Sequence, residues 1–245
     1  MPNAKSLPEW EHVLSAAAHL QRILPDAVLV GGTAAVVHAG HRLSTDADHG
    51  LVDRRSRFDT VLAALESVAG WTTARVSRPV LILGSLDGIE TGVRQLIRTA
   101  PLETQQIEVA GGKLTVPTEA EILRVKGVLI LRRNATRDYL DFVALAAHLG
   151  PDAVAKALGS FDEIYPQSNG ESALQQLQVQ LANPMPFDLD EMDLTEYKNL
   201  APQWHEWSMV QAVAVATSAV IFDAMAAGDA PTAQVVTGKP AGAHE

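Results

Sequence analysis

The stretch from Val28 to Asp48, VLVGGTAAVVHAGHRLSTDAD, decides how this chain folds. An apolar run ends in the pair Gly31-Gly32, a helical pattern follows, and Asp46 and Asp48 then alternate along a predicted strand, Thr45–Val52. Residues two apart in a strand point to the same face, roughly 6.6 Å apart along the backbone. Both carboxylates can therefore converge on one cation.

The glycine pair and Thr33 predict a phosphate site beside these carboxylates. Glycine at positions 31 and 32 lets the backbone approach a ligand closely. Thr33 is predicted to cap the following helix, Thr33–Ala39, whose free N–H groups and positive dipole end suit a phosphate. With the aspartates, these residues outline a place for a nucleoside triphosphate and its magnesium ion.

At these residues the chain resembles the nucleotidyltransferase superfamily, whose signature is a Gly-Gly or Gly-Ser turn at a helix start followed by an Asp-x-Asp strand. The resemblance implies that Asp46 and Asp48 bind Mg²⁺. It also implies a nucleotide-binding set in the turn and just before the aspartates: Gly31, Gly32, Thr33 and Ser44. His49 departs from the family, which usually has an apolar residue directly after the second aspartate.

A second segment, LTVPTEAEILRVKGVLILRRNATRDYLDFVALAAHL at 114–149, resembles the end of the core in the AbiEii-type nucleotidyltransferase toxins. That family carries a lysine motif followed by an Arg-Asp-x-x-Asp helix, and the matching residues are Lys126, Arg133, Arg137, Asp138 and Asp141. The resemblance implies that Lys126 and Arg133 neutralise and bind the triphosphate. Asp138 or Asp141 would orient or deprotonate the acceptor.

The residues of this segment also have a purely structural interpretation. Pro117 and Thr118 open a helix, and Thr118 and Glu121 have the spacing of a capping box. Lys126 and Arg133 lie seven residues apart, close to two full turns, and therefore share a helix face. On periodicity alone, the segment is an amphipathic helix whose cations stay in water.

A third carboxylate is expected on a later strand in the wider superfamily. Glu90, within Ile89–Ile97, is the first choice because it lies between apolar and β-branched neighbours and would complete the metal site. Glu108 is a rival on another predicted strand. A half-exposed strand without a metal role remains open for both residues.

Composition limits the class of protein only loosely. A chain of 245 residues with 47% hydrophobic content can bury one sizeable core or two small ones. The sequence has no cysteine, which excludes disulfides, thiol catalysis and cysteine-ligated metals. The start of the chain lacks an apolar signal core, and the apolar run Met209–Ala227 is interpreted as a buried helix. We therefore expect a cytoplasmic protein with no membrane span.

The charge is unevenly distributed. Residues 1–148 contain 16 Lys and Arg against 16 Asp and Glu, whereas residues 149–245 contain 3 against 13, which accounts for the net charge of −10. Nucleic-acid binders normally show a basic excess, because phosphate contacts supply much of their affinity. This chain offers only local basic patches.

The predicted fold class is α/β, a nucleotidyltransferase-fold mixed sheet flanked by helices, over residues 1–148. Residues 149–228 form a helical C-terminal region, and residues 229–245 have the composition of a disordered tail. The acidic, proline-rich stretch Asn183–Pro202 is predicted to be a solvated linker. His38 and His41 are interpreted as helix-end residues near solvent.

These expectations combine into one function. The chain would use Mg²⁺ to move a nucleoside monophosphate from a nucleoside triphosphate to an acceptor hydroxyl, on the end of an RNA such as tRNA or on a protein. The toxin resemblance implies a toxin–antitoxin pair with an antitoxin partner. A small-molecule acceptor and an inert binding or assembly module with the same fold remain alternatives.

Overall fold

The structure is a computed structural model that describes residues 8–52, 56–96, 98 and 100–228. Within them, a five-stranded sheet has the order β1-β2-β5-β4-β3. Its strands are β1 Val28–Leu29, β2 His49–Leu51, β3 Trp71–Ser77, β4 Leu81–Leu86 and β5 Ile89–Gln95. Strands β2 and β5 run parallel while the other pairs are antiparallel, so the sheet is mixed as predicted.

Strand β2 is shorter than the sequence pattern predicted. The alternation predicts Asp46 and Asp48 on the strand, but both precede it in an irregular segment. Ala47 holds that segment against β5, because its N–H donates to the Glu90 carbonyl at 2.9 Å and its carbonyl accepts from the Thr91 hydroxyl. The aspartates therefore lie next to β5 without belonging to the regular ladder.

Helix α1, Pro8–Ile23, and helix α3, Phe58–Glu66, pack apolar side chains inward. Helix α2, Gly31–Ala39, begins two residues earlier than predicted. Thr33 consequently lies inside the first turn and does not cap it; its hydroxyl donates to the carbonyl of Asp46. The predicted cap is wrong, and the threonine instead ties α2 to the aspartate segment.

A separate hairpin follows the sheet, formed by β6, Thr104–Val109, and β7, Gly112–Pro117. Helices α4, Glu119–Arg133, and α5, Thr136–Leu149, come next. Thr118 accepts the N–H of Glu121 at 3.2 Å, as the capping pattern predicts. The Glu121 carboxylate does not close the box, because it binds Arg98 and Arg124.

The C-terminal region is helical, with α6 Pro151–Leu158, α7 Phe161–Ile164, α8 Ala173–Ala182 and α9 Trp207–Gly228. Its buried side chains join the same apolar cluster as those of α1, α4 and α5. Trp204 is buried, and the ring of Trp207 lies edge-on to Tyr139, with centroids 5.9 Å apart. The domain boundary at residue 148 remains a prediction, and the predicted tail lies outside the described residues.

The stretch predicted to be a solvated linker is packed against the fold. Its backbone pairs with the loop after α2, through Leu43 N–H to Lys198 O at 2.7 Å and Ala201 N–H to His41 O at 2.8 Å. Asp188 accepts from the N–H of Thr136 at 2.7 Å, which caps α5. The acidic composition misled the interpretation, because one of these acids serves a helix start.

Helix α9 is only partly buried, which corrects the expectation of a buried helix. Of the described helices, its stretch Trp207–Ala227 is long and apolar enough to cross a membrane by length and composition alone. Val210, Ala214 and Ile221 face the core, whereas Val215 and Phe222 are exposed.

Candidate active site

Both sequence motifs meet at one pocket of about 380 Å³. The pocket lies between the start of α2, the aspartate segment, β5 and α4, and its volume is in the ordinary range for a small-molecule site. The lining residues that come from the two motifs are Gly31, Gly32, Asp46, Asp48, Lys126, Arg133, Arg137 and Asp141. Chain folding thus joins segments that are about eighty residues apart in sequence.

The aspartate end of the pocket is only partly satisfied by protein contacts. Asp46 accepts from the Ser44 hydroxyl at 2.8 Å, and Asp48 pairs with the half-exposed Arg94 at 3.2 Å. Ser44 itself is buried and supports Asp46 without lining the pocket. Burial raises the pKa of Asp48, with Asp46 adding to the rise and Arg94 opposing it.

Glu90 lines the same pocket from β5, next to the segment that carries the aspartates. Its rival Glu108 lies on the separate β6–β7 hairpin, where it is exposed and sits 3.9 Å from Lys113. Of the two candidate acids, Glu90 is therefore the one that lies at the pocket with Asp46 and Asp48. No three acidic or histidine side chains of the described part of the chain are already gathered in a metal-binding cluster.

The two positions of the turn require glycine for different physical reasons. Gly31 has a φ of 75°, a left-handed conformation that favours glycine. Gly32 makes room for a neighbour, because a Cβ there would overlap the Arg42 guanidinium and lie 3.1 Å from the Ser44 hydroxyl. Val30, the N-cap residue of α2, makes no side-chain cap, and the N–H groups of a first helical turn have no partner within the helix.

At the other side of the pocket, the α4 and α5 residues form a buried ion network. Lys126 Nζ lies 2.7 Å from Asp141 and 3.3 Å from Asp138, and Arg133 lies 3.0 Å from Asp138. Both carboxylates and the lysine are buried. Asp138 does not line the pocket, and its Oδ2 has no hydrogen-bond partner among the described residues.

Asp141 is the centre of this network. Arg42 binds it through two hydrogen bonds, Nε to Oδ1 at 2.9 Å and Nη2 to Oδ2 at 3.2 Å, and His41 Nε2 lies 2.8 Å from Oδ1. Burial by itself would raise the pKa of Asp141, but Arg42, Lys126 and His41 hold it well below the ordinary value. A carboxylate that is held ionised this firmly suits orientation of its partners better than proton abstraction.

His41 was expected near solvent, and the structure corrects this expectation. The side chain is buried beside Asp141, and burial lowers its pKa. His38, in contrast, lies 2.8 Å from the Pro117 carbonyl at the end of β7. Three-residue spacing at a helix end does not reveal which neighbour will cover a side chain.

Sequence reasoning missed part of the pocket wall: Arg42, Arg94, Arg98, Tyr165 and Tyr197. Arg94 has a signal in the sequence, because it lies four residues after Glu90 on the same face of β5. Tyr197 has none, since it comes from the stretch interpreted as a linker. Its ring centroid lies 5.6 Å from the Arg42 guanidinium carbon.

The pocket has more positive than negative side chains. Its six cations are Arg42, Arg94, Arg98, Lys126, Arg133 and Arg137, and its four carboxylates are Asp46, Asp48, Glu90 and Asp141. Arg137 is exposed, and no carboxylate of the described residues forms an ion pair with it. The arrangement places cations that can hold an anion beside carboxylates that offer oxygen donors.

Comparison with known sequences gives partial matches. The chain is 31% identical over 217 residues to the heme uptake protein MmpL11 of Mycobacterium tuberculosis (strain H37Rv), covering 79% of this chain and 21% of that protein. It is 36% identical over 94 residues to the mycolic acid-containing lipids exporter MmpL11 of Mycolicibacterium smegmatis, covering 37% of this chain and 10% of that protein. The chain thus spans about a fifth of the length of the curated relatives it matches. No family model matches.

Comparison with solved structures identifies the fold. The putative nucleotidyltransferase from H. pylori superimposes with a TM-score of 0.52 and 16% identity, over 90% of this chain and 96% of that one. The chain therefore has a nucleotidyltransferase-like fold, a mixed sheet flanked by helices with a helical C-terminal region. Membership of the AbiEii-type toxin family stays a prediction.

Proposed function

We propose that this protein is a Mg²⁺-dependent nucleotidyltransferase that moves a nucleoside monophosphate from a nucleoside triphosphate to an acceptor hydroxyl. The observation that carries the proposal is the shared pocket: the glycine turn, the Asp46–Asp48 pair and the Lys126–Arg133 face all line it. In the reaction, the acceptor oxygen bonds to the α-phosphorus as the bond to the bridging oxygen breaks. Pyrophosphate leaves, and the hydroxyl proton passes to solvent.

The acidic edge offers oxygen donors to a magnesium ion, although its carboxylates are not gathered into a cluster of three in the described part of the chain. Asp46, Asp48 and Glu90 supply oxygen donors only, which are the ligands that Mg²⁺ takes in proteins. Asp48 already pairs with the Arg94 guanidinium, which shows that a positive charge is favoured next to this carboxylate. Bound there, Mg²⁺ would neutralise charge on the phosphate oxygens and polarise the phosphorus.

The remaining roles belong to positioning and charge. The N–H groups of Gly31 and Gly32 at the start of α2 bind phosphate oxygens. Lys126 retains one N–H beyond its two carboxylate partners, and that N–H together with Arg133 neutralises the triphosphate. Asp138 and Asp141 hold these cations in place. Positioning and electrostatic stabilisation account for most of the catalysis of such transfers.

For the acceptor, we propose the hydroxyl at an RNA end, with tRNA as the first candidate, or a protein hydroxyl. This follows the resemblance of the Lys126 to Asp141 segment to the AbiEii-type toxins, and with it we propose a cytoplasmic toxin with an antitoxin partner. The exposed cations Arg133 and Arg137 at the pocket support an acceptor that carries phosphate.

The similarity to MmpL11 favours a second candidate function. Because this chain matches only about a fifth of those transport proteins, its fold can serve as a module in a larger assembly. In that case the pocket would bind nucleotide or a partner without transferring a nucleotidyl group. Transfer activity separates the two candidates.

The test uses the purified full chain with labelled nucleoside triphosphates, Mg²⁺, and either total cell RNA or total cell protein. We expect label in one acceptor fraction, and no label with the Asp46→Ala/Asp48→Ala variant. The matched control is Asp59→Ala/Asp152→Ala, which removes two exposed carboxylates from α3 and α6, away from the pocket.

Binding is measured in parallel by thermal unfolding. At about a hundred times its dissociation constant, a ligand adds roughly 2.7 kcal/mol to the free energy of unfolding. A Mg²⁺-dependent rise in Tm without label transfer would favour the inert module. An unchanged Tm with millimolar triphosphate would show that the pocket does not bind the nucleotide. That result would contradict the transferase proposal.

A further inference from the structure

Arg42 occupies a special place in the pocket. Its side chain is only 10% exposed, it lines the pocket, and Asp141 holds it by two hydrogen bonds at 2.9 and 3.2 Å. The Tyr197 ring lies on it at 5.6 Å. A buried arginine that is fixed on two sides has little freedom, and its remaining donors therefore point in fixed directions.

The guanidinium lies directly on the first turn of α2. The overlap that a Cβ at Gly32 would produce with Arg42 locates the guanidinium at the helix start, 3.3 Å from that Cβ position at Cζ. Of its five N–H groups, two bind Asp141 and one makes a long contact with the Leu43 carbonyl at 3.4 Å. The other two have no hydrogen-bond partner among the described residues.

The charges around Arg42 are balanced within the protein. Arg42, Lys126 and Arg133 supply three positive charges, and Asp138, Asp141 and Asp46, which acts electrostatically on Arg42, supply three negative charges. A ligand is indicated instead by the two N–H groups of the buried guanidinium that have no partner among the described residues. A buried N–H without a partner costs free energy, and a ligand oxygen that accepts from it removes that cost.

We propose that Arg42 is a phosphate-binding residue, whose guanidinium and the first-turn N–H groups of α2 hold one phosphoryl group of the triphosphate from two sides. Asp141 is its positioning residue, which keeps the guanidinium on Gly32. The inference rests on the proposed function and names the side chain that binds the phosphoryl group. A planar fork can contact two phosphate oxygens at once, which an ammonium cannot do.

A purely structural role for Arg42 is the competing explanation. In that case, the arginine only ties the loop after α2 to Asp141 on α5, and any cation that keeps this ion pair would serve. The two explanations differ in what Arg42→Lys does, because lysine preserves the charge for Asp141 and loses the fork.

The experiment measures the affinity of the full chain for inorganic tripolyphosphate by calorimetry, with a chelator present so that no metal contributes. We expect Arg42→Lys to weaken binding at least tenfold while circular dichroism shows a folded protein. The control is Arg75→Lys, an exposed arginine on β3 outside the pocket, which should bind like the wild type.

A double-mutant cycle tests the positioning role of Asp141. If Asp141 acts through Arg42, Asp141→Asn weakens tripolyphosphate binding in the wild type but adds little loss in the Arg42→Lys background. Two independent losses would contradict the positioning role. Where Asp141→Asn fails to fold, Arg42→Lys alone decides the main claim.

The outcomes separate this inference from the proposed function. Equal tripolyphosphate affinity of the wild type and Arg42→Lys overturns the role of Arg42 and leaves the nucleotidyltransferase proposal standing. If the wild type binds neither tripolyphosphate nor a triphosphate with Mg²⁺, both proposals fail together.

Discussion

The two aspartate pairs of this protein lie on opposite sides of one pocket, and their surroundings differ. Asp46 and Asp48, two residues apart, are partly exposed and contact Ser44 and a half-exposed arginine. Asp138 and Asp141, one helical turn apart, are fully buried and surrounded by cations. The same residue type at similar spacing therefore has different electrostatics at the two edges.

The difference shows that carboxylates of one fold can have two roles, either to hold buried cations in position or to bind a ligand. A carboxylate whose partners are buried cations keeps those cations in position, and its removal leaves them unpaired. A carboxylate with few protein partners is free to bind a ligand, at little cost to stability when it is lost. Asp141 belongs to the first kind and Asp46 to the second.

The largest expected effect is the stability difference between removing Asp141 and removing Asp46. Asp141→Ala leaves the buried Arg42 without a carboxylate partner and Lys126 with Asp138 alone, and it should lower the free energy of unfolding by about 3–5 kcal/mol. Asp46→Ala should change it by less than about 1 kcal/mol. Urea unfolding of both variants measures the difference, and equal losses would contradict the division between support and binding.

A smaller effect concerns the acid side of the stability profile. The folded pKa of Asp141 is well below its ordinary value, and an unfolded aspartate titrates near about 3.9. Its stabilising contribution is therefore complete above pH 4 and is lost as the pH falls through the folded pKa. Asp141→Asn should flatten this acid-side loss in urea titrations between about pH 4 and pH 2. A slope identical to that of the wild type would show that Asp141 is not held ionised.

The smallest effect concerns Arg94, the cation that pairs with Asp48. The pair is half exposed, and Arg94→Gln should change the free energy of unfolding by about 0–1 kcal/mol. If Mg²⁺ takes the place of this guanidinium, the variant should bind Mg²⁺ more tightly, measured by calorimetry. Arg78→Gln, which breaks an exposed pair with Asp59, is the matched control. Weaker Mg²⁺ binding by Arg94→Gln would contradict the idea that Arg94 and Mg²⁺ compete for Asp48.

Most elements of the fold could be predicted from local pattern. The Thr118 cap of α4 is a local feature that the structure confirms, and the glycine pair is local too, although it forms the first turn of α2 and does not precede the helix. The end of β2 could not be predicted, because the alternation through Asp46 and Asp48 looks like strand. Whether such residues join a ladder depends on β5, which lies forty residues away.

The candidate site could be predicted only in part for the same reason. The alternation of Asp46 and Asp48 indicates a shared site, the resemblance to the AbiEii-type toxins indicates Lys126 and Arg133, and all four residues line the pocket. Arg42 lies just before the aspartates in the sequence but had no predicted role, and Tyr197 lies in a stretch whose composition resembles a linker. Their importance depends on contacts with Gly32 and Asp141, which no local pattern contains.

The sequence by itself determined the α/β class, the glycine turn with its aspartates, and the cationic face of α4, because each follows from periodicity or backbone preference within a few residues. Only the tertiary structure decided that Asp141 is buried among Arg42, His41 and Lys126, while Asp46 and Asp48 border a pocket. Burial and ion pairing are set by segments distant in sequence, and they change the energetics of identical side chains.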